Sequence, residues 1–366
     1  MPDNTVTLSI GGKKYTGWES ISIRRSIDAL CGSFEVSLVD QDDGKNWALA
    51  TQLDVSVSIG PDLVISGVID SVHPEVDKTS HKVIVRGRDK TCDLIDCSIV
   101  PSPIELINLD LFTIAQQICK PFGITVISEV DVGAKFSPKF AIQMGETGFD
   151  AIDRGCKLRG ILPISNSKSN LVLTTSGANL SDEPLEWGQN VLAANSNFEY
   201  TNRFSRYIVQ SQNPNAGMAI WHGSARGEFF DHAVKRYRPI LLPAEGLASN
   251  AICKKRAQLE ASVRAAKSNI LNVTVQGWRQ RTSAGTLWQS NYLVPVDIFP
   301  LFIDSTLLIV EVNYTQNNED GTLCHMKLMR DDAFNAGTKF KTKKVGFQSV
   351  NANAVKPKKQ FGFDSL

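Results

Sequence analysis

The chain has 366 residues, of which 42% are apolar and 21% charged, and its formal net charge is +1. These values are ordinary for a soluble globular protein and exclude wholesale disorder, a fibre and a disulfide-dense miniature scaffold. At roughly 100–200 residues per domain, the length predicts two to four domains. The apolar runs are short, Thr306–Val312 being typical, against the ~18 residues of a membrane span. Met1-Pro2-Asp3-Asn4 has neither the positive flank nor the apolar core of a signal peptide. No stable membrane insertion is expected.

The first hundred residues read as a small antiparallel barrel. Val6, Leu8 and Ile10 alternate with polar residues, and Gly11-Gly12 supplies a turn. Ile21 and Ile23 alternate, as do Phe34, Val36 and Leu38. Leu53, Val55, Val57 and Ile59 keep a period of two until Gly60-Pro61. Leu63–Asp70 and His81–Gly87 complete six expected strands.

From Pro101 to 186 the pattern becomes a small α/β insert. Ile107, Leu111, Ile114 and Ile118 recur at helical spacing until Pro121 and Gly123. A second helix starts at Thr147, paired with Asp150 in a capping-box-like arrangement, and stops at Gly160. Strands are expected at 123–128 and 170–174.

Residues 187–335 return to strands and read as a second barrel. An insertion over 213–268 interrupts it. The strand patterns lie at 196–200, 206–212, 269–276, 287–294, 306–314 and 322–330, with 213–245 irregular. A helix from about Ser249 to Ser268 keeps Ile252, Leu259 and Val263 on one stripe. Two strand–turn–strand units share a plan: 63–89, ending Arg88-Asp89, and 306–331, ending Arg330-Asp331. That similarity predicts two related barrels. The fold class expected is β-rich α+β, with two antiparallel barrels and small α/β insertions.

Chemistry-bearing motifs are sparse. The seven cysteines form no CxxC pair and read as buried, reduced thiols. HExxH, GxSxG, P-loop and GxGxxG patterns are absent from the sequence. His73 and His81 share a hairpin but fit a structural role. Asp40-Gln41-Asp42-Asp43-Gly44 opens like a calcium loop, but Thr51 stands where the closing glutamate belongs. His222, Glu228, Asp231 and His232 are the one place where an acid–base or zinc site could be assembled, against the simpler reading of a polar loop. Phe140–Ile152 resembles the opening of a LysM glycan-binding module. The strand beginning at Arg159-Gly160-Ile161-Leu162 comes too early for it, and a capped strand-to-helix turn suffices. No catalytic residue, metal or cofactor is assigned.

Charge is unevenly spread. Residues 336–366 carry seven lysines and one acid, a net +6, so residues 1–335 are net −5. An acidic body with a basic tail is not the footprint of a nucleic-acid-binding face. In the tail, Lys339, Phe340, Lys341, Lys343, Lys344, Phe347, Lys356, Lys358, Lys359, Phe361 and Phe363 place aromatic anchors among cations. They are the candidate partner-binding residues.

The segments Val275-Gln276-Gly277-Trp278, Leu308–Val312, Gly321-Thr322 and Asp331-Asp332-Ala333-Phe334 resemble the closing domain of Mu-like phage baseplate hubs. Arg236–Pro239 and the following helix fit the same family. "GETGFDAIDRGCKLRGILP" is similar to its middle domain, and "GSFEVSLVD" with "DLVISGVIDSV" to its first barrel. The resemblance covers about 3–335. It implies a structural, non-enzymatic hub of a contractile tail in the virion, assembled in the host cytoplasm. Three copies with two tube-like barrels each would join a sixfold tail tube, or tube-initiator protein, to a threefold central spike, with baseplate wedge proteins as further partners. DNA would pass through the lumen without specific binding. The alternatives are a peptidoglycan-binding or cell-wall-degrading tail-tip protein, and the hub of a phage-tail-like bacteriocin or type VI-like injection system.

Overall fold

The computed structural model describes residues 3–39, 50–78, 81–100, 106–211, 225–244, 248–282, 285–330 and 334. The candidate tail residues Lys339 to Phe363, the Asp40–Gly44 turn and His222 lie outside the described residues.

The first region forms seven strands rather than six: β1 (Val6–Ile10), β2 (Lys13–Tyr15), β3 (Ser20–Ser26), β4 (Ser33–Val39), β5 (Asp54–Ile59), β6 (Asp62–Val76) and β7 (His81–Asp89). Alternation works as expected. In β1 and β5 every second side chain is buried, because a period of two puts one row on the core. Helix α1 (Cys92–Asp96) leads out of this region.

The second region holds β8 (Ile107–Leu109), α2 (Leu111–Cys119), β9 (Val126–Ser128), β10 (Phe136–Lys139), α3 (Gly148–Arg159), β11 (Leu162–Ser165) and β12 (Leu171–Thr174). Asp110 accepts from Thr113 N at 2.8 Å and caps α2. Ile107, expected on that helix, therefore lies in a strand before the cap. Thr147 accepts from Asp150 N at 3.1 Å, and Gly160 closes α3 in the left-handed conformation at φ 70°. Leu94, Ile114, Ile118, Ile152 and Leu173 share one core separate from that of the barrels.

Next come β13 (Asn179–Leu180), β14 (Leu185–Glu186), β15 (Val191–Phe198), β16 (Arg206–Gln210), β17 (Arg226–Phe230), β18 (Pro239–Pro243) and α4 (Asn250–Lys267). The chain continues with β19 (Asn269–Gln276), β20 (Tyr292–Ile298), β21 (Ile303–Asn317) and β22 (Gly321–Arg330). Strands β17 and β18 form within 213–245, where the sequence reads as irregular, and two further placements also differ from the sequence expectation. Strands β13 and β14 pair in parallel with β20, so they hydrogen-bond to the large sheet rather than to the α/β insert. Strand β16, expected in the second barrel, pairs with β17 and β18 in a separate sheet. There Tyr207 and Val209 bury against Cys253, Ala257 and Ala261 of α4. Alternation shows which residues of β16 face a core, but not whose core it is.

The two barrel regions repeat one another. In one large sheet the strands run β15-β19-β22-β21-β3-β4-β7-β6-β5-β1-β2, with β20 also on β21. The order β3-β4-β7-β6-β5 therefore recurs as β15-β19-β22-β21-β20, antiparallel at every step. Both long strands shift register at matching points, between Ile69 and Ser71 and between Ile309 and Glu311. Gln52 and Asn291 each have φ 67°. Each donates its backbone N–H over 2.8 Å, to the carbonyls of Ile69 and Ile309 respectively. Such agreement of order, bulge and backbone detail marks a duplicated unit. The Arg-Asp endings are not its register. Gly67 pairs with Asp89, whereas Leu307 pairs with Arg330, so the two Arg-Asp pairs lie one residue apart.

One apolar core runs through both halves, from Leu8, Ile23, Val36 and Val57 to Leu271, Trp278, Val294 and Leu328. Of the cysteines, five are buried, Cys97 is exposed and Cys31 is intermediate, so the expected burial holds for five. Burial pushes the Cys31 thiol up to about 11 and Cys119 up to about 12.

Strand β17 lies directly on α4 at Gly227. A Cβ there would stand 2.1 Å from Lys254 N and 2.4 Å from Cys253 C, both backbone atoms. We expect Gly227→Ala to destabilise this unit by about 2–3 kcal/mol through overpacking. Hydrogen exchange should rise across 226–230 and 250–267 while the β19 and β22 amides stay protected.

Candidate functional site

The acidic residues singled out in sequence are neutralised by arginines. The Glu228 carboxylate accepts from Arg206 Nη2 at 2.7 Å and lies 2.7 Å from Arg226 Nη2. The Arg206 hydrogen bond holds its carboxyl below the usual glutamate range. Asp231 takes two bonds from Arg203, at 2.6 and 3.2 Å, in a nearly dry setting. His232 stacks on Phe230 with ring centroids 6.5 Å apart. On α4, burial alone would raise the Glu260 carboxyl, but Arg256 and Arg264 outweigh it and lower it. The Glu228 pairs join β16 to β17 and the Glu260 pairs stay within α4, so Glu228 and Asp231 are each committed to arginine. Among the described residues, no group of His, Cys, Asp and Glu is arranged to hold a metal ion. No described helix is long and apolar enough to cross a membrane.

The arrangement that organises the molecule is a set of joints. Arg25 continues the inward row Ile21–Ile23 of β3, yet it is charged. Its Nη1 lies 3.3 Å from Asp89 Oδ2, whose side chain is 0% exposed. Asp89 also accepts from Gly32 N at 2.6 Å, Thr91 N at 3.0 Å and Ser165 Oγ at 2.8 Å. Arg25 reaches the carbonyls of Ser165 and Asn166. One buried carboxylate thus ties β3, β7 and the insert strand β11 together. Burial pushes the Arg25 guanidinium down, and Asp89 opposes that shift.

Two further joints bind the barrels to each other. The distal half of β21 pairs with β3, from Glu311 opposite Ser26 to Gln316 opposite Ile21. Arg24 Nη2 meets Glu311 Oε2 at 2.6 Å, and Ser22 Oγ donates to Asn313 at 3.1 Å across that seam. On the other side Arg279, only 8% exposed, meets Asp62 at 2.6 Å and Asn4 Oδ1 at 2.9 Å, and reaches the Ile59 carbonyl at 3.0 Å. The sequence reading missed Arg25 and Arg279. The available signal for Arg25 was a cation on the buried parity of a strand.

Several large apolar groups are exposed. Val76 is 75% exposed at the end of β6, and Phe299 and Phe302 are 69% and 72% exposed at the β20–β21 turn. Leu192, Phe198 and Tyr200 are about half exposed along and just past β15.

Duplicated tube-like barrels carrying a small α/β insert define the class of phage-tail hub folds, and comparisons with known proteins place the chain within it. The Shewanella oneidensis prophage MuSo2 43 kDa tail protein superposes with a TM-score of 0.82 at 34% identity, over 90% of this chain and 100% of that one. The Neisseria meningitidis MC58 tail protein shares the fold, with a TM-score of 0.77 at 22% identity, over 90% of this chain and 97% of that one. Three family models match in chain order. They are the Mu phage baseplate assembly protein GpP-like N-terminal model over 5–89, the second domain of gp44-like baseplate hub proteins over 91–175, and the GpP fourth domain over 249–337. The baseplate hub protein gp44 of Escherichia phage Mu is 33% identical over 347 residues, 90% of this chain and 89% of that protein. The chain belongs to the Mu-like phage baseplate hub family.

The Asp89 joint makes a stability prediction. Asp89→Asn leaves Arg25 buried without its counter-charge, and we expect a cost of about 3–5 kcal/mol. Paired with Arg25→Met the loss should be markedly smaller. Urea unfolding of the four members of this cycle measures the coupling.

Proposed function

We propose that three copies of this chain form a closed ring in the tail baseplate, an adaptor between a sixfold tail tube above and a threefold spike below. The supporting observation is the internal duplication. Each chain carries the five-strand unit twice, so three chains present six equivalent units to a sixfold partner and three identical faces to a threefold one. Wedge proteins would meet the outer face. The particle is the site of action, and the host cytoplasm the site of assembly.

On this reading the role is structural rather than enzymatic. The commitment of Glu228 and Asp231 to arginines supports it. The net acidic charge of residues 1–335 supports a lumen that lets DNA through without holding its phosphates. Native mass spectrometry of the full chain should give three times the protomer mass, and electron microscopy a ring with a central opening. A monomer at tens of micromolar would sink the proposal.

The basic tail, with Lys339, Lys341, Lys343, Lys344, Lys356, Lys358 and Lys359 around Phe340, Phe347, Phe361 and Phe363, serves as a tether to a neighbouring tail protein. It raises the local concentration of the hub at its docking site. Deleting 336–366 should leave the oligomer intact and lower the yield of complete tails. Wild-type yields from the deletion would remove the tether from the account.

A further inference from the structure

Charge within the folded body is segregated. Residues 201–268, which hold β16, β17, β18 and α4, carry eleven lysines and arginines against four acids, a net +7. The rest of residues 1–335 is therefore net −12. One face of the small sheet is covered, because Tyr207 and Val209 pack on α4. Side chains alternate across a strand, so Arg206, Ile208 and Gln210 lie on the face turned away from the helix. Pairing sets Phe230 and Pro239 beside Arg206, and Glu228 and Leu241 beside Ile208. Phe230 is 50% exposed and Leu241 62%, so this face is open to solvent.

The open face runs into a hollow of about 510 Å³. Arg206 and Phe230 belong to both, and His232, Lys235, Arg236 and Tyr237 complete the wall. The Arg206 guanidinium lies 5.4 Å from the centre of the Phe230 ring, on which His232 stacks. Tyr237 is 81% exposed. Arg206 shares its charge with Glu228. Lys235 and Arg236 have no partner among the described residues. Aromatic rings and unpaired cations thus stand side by side around one concave surface.

We propose that this face and its hollow dock an acidic segment of another protein of the tail. Apolar side chains of the segment cover Ile208, Phe230 and Leu241, and its carboxylates face Lys235 and Arg236. Aromatic and arginine anchors supply affinity in such contacts, and complementary charge selects the partner. The inference rests on membership of the baseplate hub family and not on the ring.

Other modes and occupants fit less well. Arg206 N donates to the Arg238 carbonyl and Ala244 N to that of Gln210, so the even-numbered residues of β18 bond to β16. Pro239, Leu241 and Pro243 therefore aim their backbone at the free edge of β18, where two prolines supply no donor. A strand added there would gain few backbone bonds, which leaves the side chains of the face to make the contact. The chain's own tail, at net +6, has the wrong charge to settle on it. Several exposed carboxylates of the body are already paired, Glu35 with Arg86, Asp96 with Arg88 and Glu183 with Arg281. That favours a partner outside the chain.

Photo-crosslinking in assembled tails tests the site. The full chain, carrying p-benzoylphenylalanine in place of Leu241 or of Tyr237, is supplied during particle assembly. Purified tails are then irradiated and the joined peptides sequenced by mass spectrometry. Both positions should join one segment of another tail protein, richer in Asp and Glu than in Lys and Arg. The same group in place of exposed Lys14 should not reach that segment. Adding Lys235→Glu/Arg236→Glu should lower the joined product about tenfold through like-charge contact. Lys235→Arg/Arg236→Lys should keep it. Crosslinks to a second copy of the chain, to nucleic acid or to a neutral or basic segment overturn the proposal, as does their absence. An undiminished yield after charge reversal does the same. Native mass and melting temperature of the free variants are read separately. Unchanged values beside failed docking overturn the dock and leave the ring standing. A change of oligomer on charge reversal makes the face a contact between copies and overturns the dock.

Discussion

The bulge at Val310 lets one strand serve two neighbours on the same side. Before it, β21 pairs with β20. After it, the strand bends and pairs with β3, nearly three hundred residues away in sequence. A bulge adds one residue to one strand only, so the ladder turns without being cut. Everything larger depends on this. Without the bend the second unit would close on itself, and the two halves would have no shared sheet and no continuous core. The same backbone device recurs around Asp70, where the side chain is charged and bonded to Arg88 at 2.7 Å, whereas Val310 is fully buried. Duplication has kept the geometry and changed the chemistry.

Polar joints then fix what the sheet has brought together. Asp89 is buried beyond the reach of water and is satisfied by two backbone N–H groups, two hydroxyls and a guanidinium. A buried ion pair of this kind contributes little net stability against an apolar replacement. It does set geometry, because only one orientation of β3, β7 and β11 satisfies every partner. Arg279 does similar work across the other meeting of the halves, with five oxygen acceptors around one guanidinium. In a baseplate hub protein such joints fix the angles between parts of the chain more than they add burial.

The sequence by itself determined the elements. Alternation gave the barrel strands, and Thr147 with Gly160 and Ser249 marked helices that form where they were expected. Spaced motifs also pointed to the family, and the repeated hairpin pointed to duplication. Only the tertiary structure decided which elements are neighbours. A period of two states that Tyr207 and Val209 are buried, but α4 is what buries them. The Arg-Asp match that suggested the repeat lies one residue off the true register, because register follows the bulge and the pairing partner. Arg25 looks like any cation until the fold brings Asp89 and Ser165 to it. The physical reason is common to all three. Local propensity acts within a few residues, whereas pairing and charge satisfaction are settled between segments that meet only after the chain has folded.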